Sequence, residues 1–183
     1  MEKEEIIAKI KDYIINTFNI TSIELNINTR NNIKALLRKV RDNNNRVKLL
    51  RVKRNKIKED IEDLEASMVG SQSFDGVQCG KNTGLKKNTT EIKYLQRLEL
   101  KEELGKLLVE TKLIEHSLED NNKLVSDFID LLSNANQRTI MKMTYFECMP
   151  NSEIASTLVY SIGAIDKERW RAIKELEKIL KNE

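Results

Sequence analysis

The chain has 183 residues, 33% of them charged and 5% aromatic, with one Pro and six Gly. That profile suits helical bundles and coiled coils better than sheets, in one domain or two small ones. The formal net charge of +3 is too small to name a nucleic-acid partner by itself, and the apolar runs are far too short for a membrane span.

The amino terminus, MEKEEII, has alternating charges and no signal-peptide core. Two cysteines, Cys79 and Cys148, show no pattern, which fits a reducing cytoplasm and gives no disulfide framework. A cytoplasmic location is therefore expected.

Ile6, Ile7, Ile10, Ile14 and Phe18 recur at helical spacing, which predicts a short amphipathic helix over residues 2–18. Residues 19–28, NITSIELNIN, alternate apolar and polar side chains. A single strand would have nothing to pair with, so the stretch is read as a linker. Residues 1–28 then form an N-terminal helix and linker.

From Thr29, expected as an N-cap, the pattern becomes a heptad. It runs through Ile33, Leu36, Val40, Asn43, Val47, Leu50, Arg54, Ile57, Ile61, Leu64 and Met68. Such a repeat lays one apolar stripe along a long helix that must be buried on a partner helix. Asn43-Asn44-Asn45 is poor helix sequence, so a break is expected there.

Between Ala66 and Thr90 the composition turns to Gly, Ser, Asn and Thr, as in a loop. A second stripe follows Ile92, through Leu104, Leu107, Thr111, Ile114, Leu118, Val125, Phe128 and Leu132. Residues 29–133 are therefore expected to form a helical hairpin or coiled coil around a Gly-rich loop at 66–90.

Within that loop, Gly76-Val-Gln-Cys-Gly80-Lys-Asn-Thr-Gly84 suggests a phosphate cradle. A P-loop needs four residues between its glycines and a hydroxyl residue after the lysine. Here three residues separate Gly76 from Gly80, and Asn82 follows Lys81. The stretch is read as a connector.

Enzymatic chemistry finds no support. His116 is the sole histidine, so no His-based relay or metal cluster can be assembled. Acidic pairs such as Glu59-Asp60 and Glu62-Asp63 lie on lysine-rich helices and read as solvated faces. No catalysis and no cofactor are expected.

One block stands out for charge. From Arg38 to Lys58 there are ten Lys or Arg and one acid, Asp42. Two readings stand: a solvated face beside the heptad stripe, or a segment that contacts phosphates and gains affinity by counterion release. The candidate phosphate contacts are Arg46, Lys48, Arg51, Lys53 and Lys56.

Residues 134–183 form the third part. Ile140, Met143 and Phe146 mark one helix, and Pro150-Asn151 opens a second with Ile154, Ala155 and Leu158 inward. Val159-Tyr160-Ser161 connects to a third helix, on which Ile165, Ala172, Ile173, Leu176, Ile179 and Leu180 share a face. A helix, short turn and helix is the geometry that sets a recognition helix in the major groove. The opposite face carries Gly163, Lys167, Trp170, Lys174 and Lys178, with Ala164 and Arg171 beside them.

These residue types suit DNA contact. Gly163 and Ala164 allow close approach, Lys167, Arg171 and Lys174 can reach base edges or phosphates, and Ser161 is placed to cap the helix and touch a phosphate. Arg169 falls on the buried side and reads as an ion-pair residue. Trp170 is open between packing on a neighbouring helix and lying on the groove side.

The stretch NSEIASTLVYSIGAIDKERWRAIKELEKIL resembles the last helix-turn-helix of sigma-factor region 4. The matching positions are Glu153, Ile154, Ala155, Leu158, Ser161, Ile165, Arg169, Ala172, Ile173 and Leu176. Residues 45–183 are similar to a family of small phage and prophage proteins of low-GC Gram-positive bacteria, the RinA- and ArpU-type transcriptional regulators. Ser73-Phe74-Asp75-Gly76 match that family's glycine-rich connector. Val159 stands where the family usually has Gly, and Pro150 replaces its usual Ser or Thr cap. Nothing resembles the promoter-melting region 2 of sigma factors.

The resemblance implies an oligomeric, sequence-specific DNA-binding regulator of phage or prophage transcription, an activator of late genes. The expected partners are double-stranded DNA, host RNA polymerase and a second copy of the chain, with a dimer favoured. The alternative is a small terminase subunit, which also joins a helix-turn-helix to an oligomerising helical segment and recognises DNA for packaging.

Overall fold

The computed structural model describes residues 2–69 and 89–181. Within them the chain is all-helical: α1 (Lys3–Phe18), α2 (Ser22–Ile27), α3 (Thr29–Val69), α4 (Thr89–Asp130), α5 (Ala135–Tyr145), α6 (Asn151–Leu158) and α7 (Ile162–Lys181). The Gly76–Gly84 stretch, the Ser73–Gly76 connector and Cys79 lie outside the described residues. No helix among those described is long and apolar enough to cross a membrane.

Helix α1 buries the four isoleucines expected of it, Ile6, Ile7, Ile10 and Ile14. It ends at Asn19 in the left-handed conformation, whose N–H bonds to the Ile15 carbonyl. Asn tolerates that backbone better than most residues.

The linker expected at 19–28 is instead mostly α2. Thr21 and Glu24 form a reciprocal capping box: the Thr21 hydroxyl accepts from Glu24 N–H, and the Glu24 carboxylate accepts from Thr21 N–H at 2.8 Å. This Thr-x-x-Glu signature satisfies two otherwise orphaned donors. The alternation of Ile and Leu masked it, because a six-residue helix spans fewer than two turns.

Thr29 is not an N-cap. Its buried hydroxyl donates to the Leu25 carbonyl at 2.8 Å, so α3 follows α2 almost without interruption. Nor does α3 break at the asparagines. Asn44 Nδ2 donates to the Tyr145 carbonyl at 3.3 Å, and Asn44 Oδ1 accepts from Asn122 at 3.0 Å. Tertiary hydrogen bonds override a weak local propensity here.

The chain divides into two compact units, residues 1–46 with 115–183, and residues 47–114. Helices α3 and α4 contribute a segment to each. In the larger unit, α1, α2, the first part of α3 and the last part of α4 enclose one core with α5 and the end of α7. Ile10, Ile14, Ile33, Leu36, Phe128, Ile129, Met141 and Leu176 are fully buried there. A smaller cluster, Ile140, Ile154, Ala155 and Ile165, holds α5, α6 and the start of α7 together.

Helix α7 therefore serves both clusters: Ile165 in the smaller, Ala172, Ile173, Leu176 and Leu180 in the larger. Ile179, expected inward, is half-buried at the margin. An ion pair from Arg30 on α3 to Glu177 at 2.6 Å secures its far end.

In the smaller unit, Ile57, Ile61 and Leu107 form the buried centre, with Leu50, Leu100 and Leu104 against it. Lys53 pairs with Glu103 at 2.7 Å, and Arg97 and Lys101 both reach Glu65. Residue numbers rise on α3 as they fall on α4, so the two segments run antiparallel. Thr111 sits in the apolar stripe because its hydroxyl donates back to the Leu107 carbonyl at 2.6 Å. That bond removes the cost of burying it.

Candidate nucleic-acid interface

Residues Val159-Tyr160-Ser161 join α6 to α7. Val159 closes α6 in the left-handed conformation, at φ 57° and ψ 44°. It is 92% exposed, so no packing rewards its side chain. A β-branched residue in this region is strained. The turn is held instead by backbone and by Tyr160. Tyr160 N–H bonds to the Ala155 carbonyl at 2.9 Å, and the Tyr160 hydroxyl accepts from Asn136 Nδ2 at 3.1 Å.

Ser161 caps α7, as expected: its hydroxyl accepts from Ala164 N–H at 3.2 Å. Pro150 stands one residue before the first helical position of α6 and offers no side-chain cap. Its carbonyl accepts from both Glu153 N–H and Ile154 N–H.

With one side of α7 buried, the helical period sets the other side outward. Ser161, Gly163, Lys167, Trp170, Arg171, Lys174 and Lys178 are all exposed, and Ala164 is half-buried. A Cβ added at Gly163 would meet nothing within 4 Å. Trp170, which had two open placements, is 51% exposed and lies under Lys174, whose Nζ is 5.3 Å from the ring centroid. Its ring thus joins the cationic face and does not fill the core. Together with Arg171, Glu175 and Lys178 these two residues line a shallow surface depression.

The acids of α7 are occupied. Asp166 pairs with Arg169 at 2.6 Å, and Arg169 also donates to Asn151 Oδ1 at 3.2 Å. Asn151 Nδ2 donates to Asp166 in turn, so the start of α6 is bracketed to α7. Arg169 is thereby an internal ion-pair residue, as its place on the helix implied. Glu168 accepts from Gln137 Nε2 on α5 at 2.9 Å and from Arg171. The Gln137 bond chiefly, and the Arg171 pair after it, hold the Glu168 carboxyl below its ordinary value. Glu175 accepts from Ser133 N–H at 2.8 Å.

Two candidate contacts are therefore already engaged. Arg171 has one guanidinium nitrogen on Glu168, and the Lys174 ammonium sits over the Trp170 ring. Both interactions are at the surface, where such bonds are weak and exchangeable.

The basic segment of α3 is exposed at Arg46, Lys48, Arg51, Lys53 and Lys56. Arg46 belongs to the larger unit and the other four to the smaller. Lys53 pairs with Glu103 at 2.7 Å, which reduces what it offers to a phosphate.

Sequence reasoning missed the supporting groups: Gln137 beneath Glu168, Asn151 beside Arg169 and Asn136 on Tyr160. Their partners lie 31, 18 and 24 residues away, so no local periodicity signals them. In comparisons with protein-family models, with characterised proteins and with solved structures, nothing matches this chain.

Proposed function

We propose that the chain is a sequence-specific DNA-binding regulator of phage or prophage transcription, with α6 and α7 acting as a helix-turn-helix. One observation carries this reading. Along α7, a continuous exposed side presents Lys167, Trp170, Arg171, Lys174 and Lys178, while the opposite side is locked into the core through Ile165, Ala172, Ile173 and Leu176. A helix held from behind, with a small residue near its start and cations along its free side, suits the major groove. Gly163 and Ala164 are the small residues.

In this reading Lys167 and Arg171 contact base edges, and Ser161 and Lys174 contact phosphates. Trp170 stacks on the sugar-phosphate edge or stiffens Lys174. The basic part of α3 adds sequence-independent affinity, and the segments at 47–114 serve oligomerisation in coiled-coil fashion. Host RNA polymerase is the partner of an activator of this kind, and the cytoplasm is its place of action.

Selection of bound fragments from the source genome with purified protein tests the reading. A recurrent short motif, footprinted by the protein and lost on mutation of its bases, is the expected result. Uniform recovery of fragments would sink it.

A further inference from the structure

Helix α4 carries a second apolar stripe within the smaller unit. Leu100, Leu104 and Leu107 face α3, yet Leu95, Leu98, Val109 and Leu113 are exposed. Leu98 and Val109 are 46% and 60% exposed, high for side chains of this kind. With Glu102 and Gly105 between them, positions 95, 98, 102, 105 and 109 alternate spacings of three and four, as in a coiled-coil seam. At Gly105 an added Cβ would meet nothing within 4 Å, so the middle of the seam is open for close approach.

We propose that two copies of the chain associate through this stripe, α4 against α4, in the antiparallel sense. The inference rests on the oligomeric part of the functional reading and names its surface. Charge selects both the occupant and the direction. A parallel pair would set Glu102 against Glu102 and Lys101 against Lys106, which repel. With Leu98 opposite Val109 of the second copy, an antiparallel pair sets Glu102 beside the second copy's Gly105. Glu99 then meets Lys106 of the second copy on the flank.

That flank is acidic on its own account. Asp60, Asp63, Glu99 and Glu103 line one groove between α3 and α4. Lys106 of the second copy arrives at the level of Glu99 to Glu103. In the single chain Lys106 bonds to its own Glu102 at 2.7 Å, with both side chains at least 70% exposed, an arrangement that exchanges readily. The two-fold axis repeats every contact, so one stripe supplies both halves of the interface.

Light scattering and sedimentation on the full chain test the contact, with circular dichroism to check the helix content of each variant. Leu98→Glu with Val109→Glu is expected to leave a folded monomer. Glu99→Lys and Lys106→Glu are each expected to weaken association roughly tenfold, and the double variant to recover it. In a Cys79→Ser, Cys148→Ser background, mixed Leu98→Cys and Val109→Cys chains should cross-link, while Leu98→Cys alone should not.

A monomer at every concentration would overturn both this contact and the oligomeric reading. An oligomer indifferent to these substitutions would overturn the α4 contact alone. Self-cross-linking of Leu98→Cys would overturn the antiparallel arrangement. Fragment selection judges the DNA reading separately from all three.

Discussion

Gln137 on α5 donates its side-chain amide to Glu168 on α7 at 2.9 Å, and Glu168 in turn holds Arg171. This relay ties a buried polar residue to a surface cation on the exposed face of α7. It also makes stability depend on the charge of Glu168.

The sign follows from the direction of the shift. The Glu168 carboxyl is held below its ordinary value, first by the Gln137 hydrogen bond. Its contribution is fully present above the ordinary carboxylate range and fades as pH falls through the lowered value. Urea midpoints of the wild type should therefore fall more steeply than those of Glu168→Gln between about pH 5 and about pH 3. Parallel curves would show that Glu168 contributes nothing specific.

Val159→Gly should stabilise the chain. Relief of the left-handed strain at an exposed β-branched residue is worth about 1–2 kcal/mol, against about 0.5–1 kcal/mol for the added freedom of the unfolded chain. A net gain of about 0.5–1 kcal/mol, read by urea unfolding, is expected. A loss of stability would mean that the turn draws on the Val159 side chain in a way its exposure does not suggest.

Lys167→Ala with Arg171→Ala should remove specific DNA binding with no change in circular dichroism, because both side chains are exposed. Each base contact is worth about 1–3 kcal/mol, so the pair costs roughly two orders of magnitude or more in affinity. Replacing Arg51, Lys53 and Lys56 with Ala should act differently, lowering affinity for all sequences and flattening its salt dependence. Gel shifts across a salt series separate the two effects. Unchanged specific affinity in the first variant would remove α7 as the reading helix.

Ile10→Ala should destabilise the larger unit by about 2–5 kcal/mol, the usual cost of truncating a fully buried isoleucine. The measurement is urea unfolding followed by circular dichroism. The burial of Ile6, Ile7, Ile10 and Ile14 in the same core as Phe128 and Leu176 makes α1 a structural support for α7. A negligible change would separate α1 from that core.

Periodicity made several elements legible. The isoleucine spacing of α1, the stripe of α3 and the inward face of α7 each follow from apolar residues at helical intervals, which a buried stripe requires. The three-residue turn Val159-Tyr160-Ser161 was legible too, since a cap and a change of phase mark it locally.

Other features were beyond the sequence. Asn43-Asn44-Asn45 lowers helix propensity, but Asn44 bonds to Tyr145 and Asn122, and α3 continues. Thr29 has the composition of a cap and uses its hydroxyl on Leu25 instead. Trp170 could have packed inward but lies exposed beneath Lys174, and Arg171 is held by Glu168, which Gln137 on α5 supports. Hydrophobic spacing is a property of consecutive residues, so the sequence by itself determined which faces are buried. Some of the bonds that engage the surface join groups distant along the chain, as Gln137 does with Glu168 and Lys53 with Glu103. Only the tertiary structure could decide which of the exposed cations are already held.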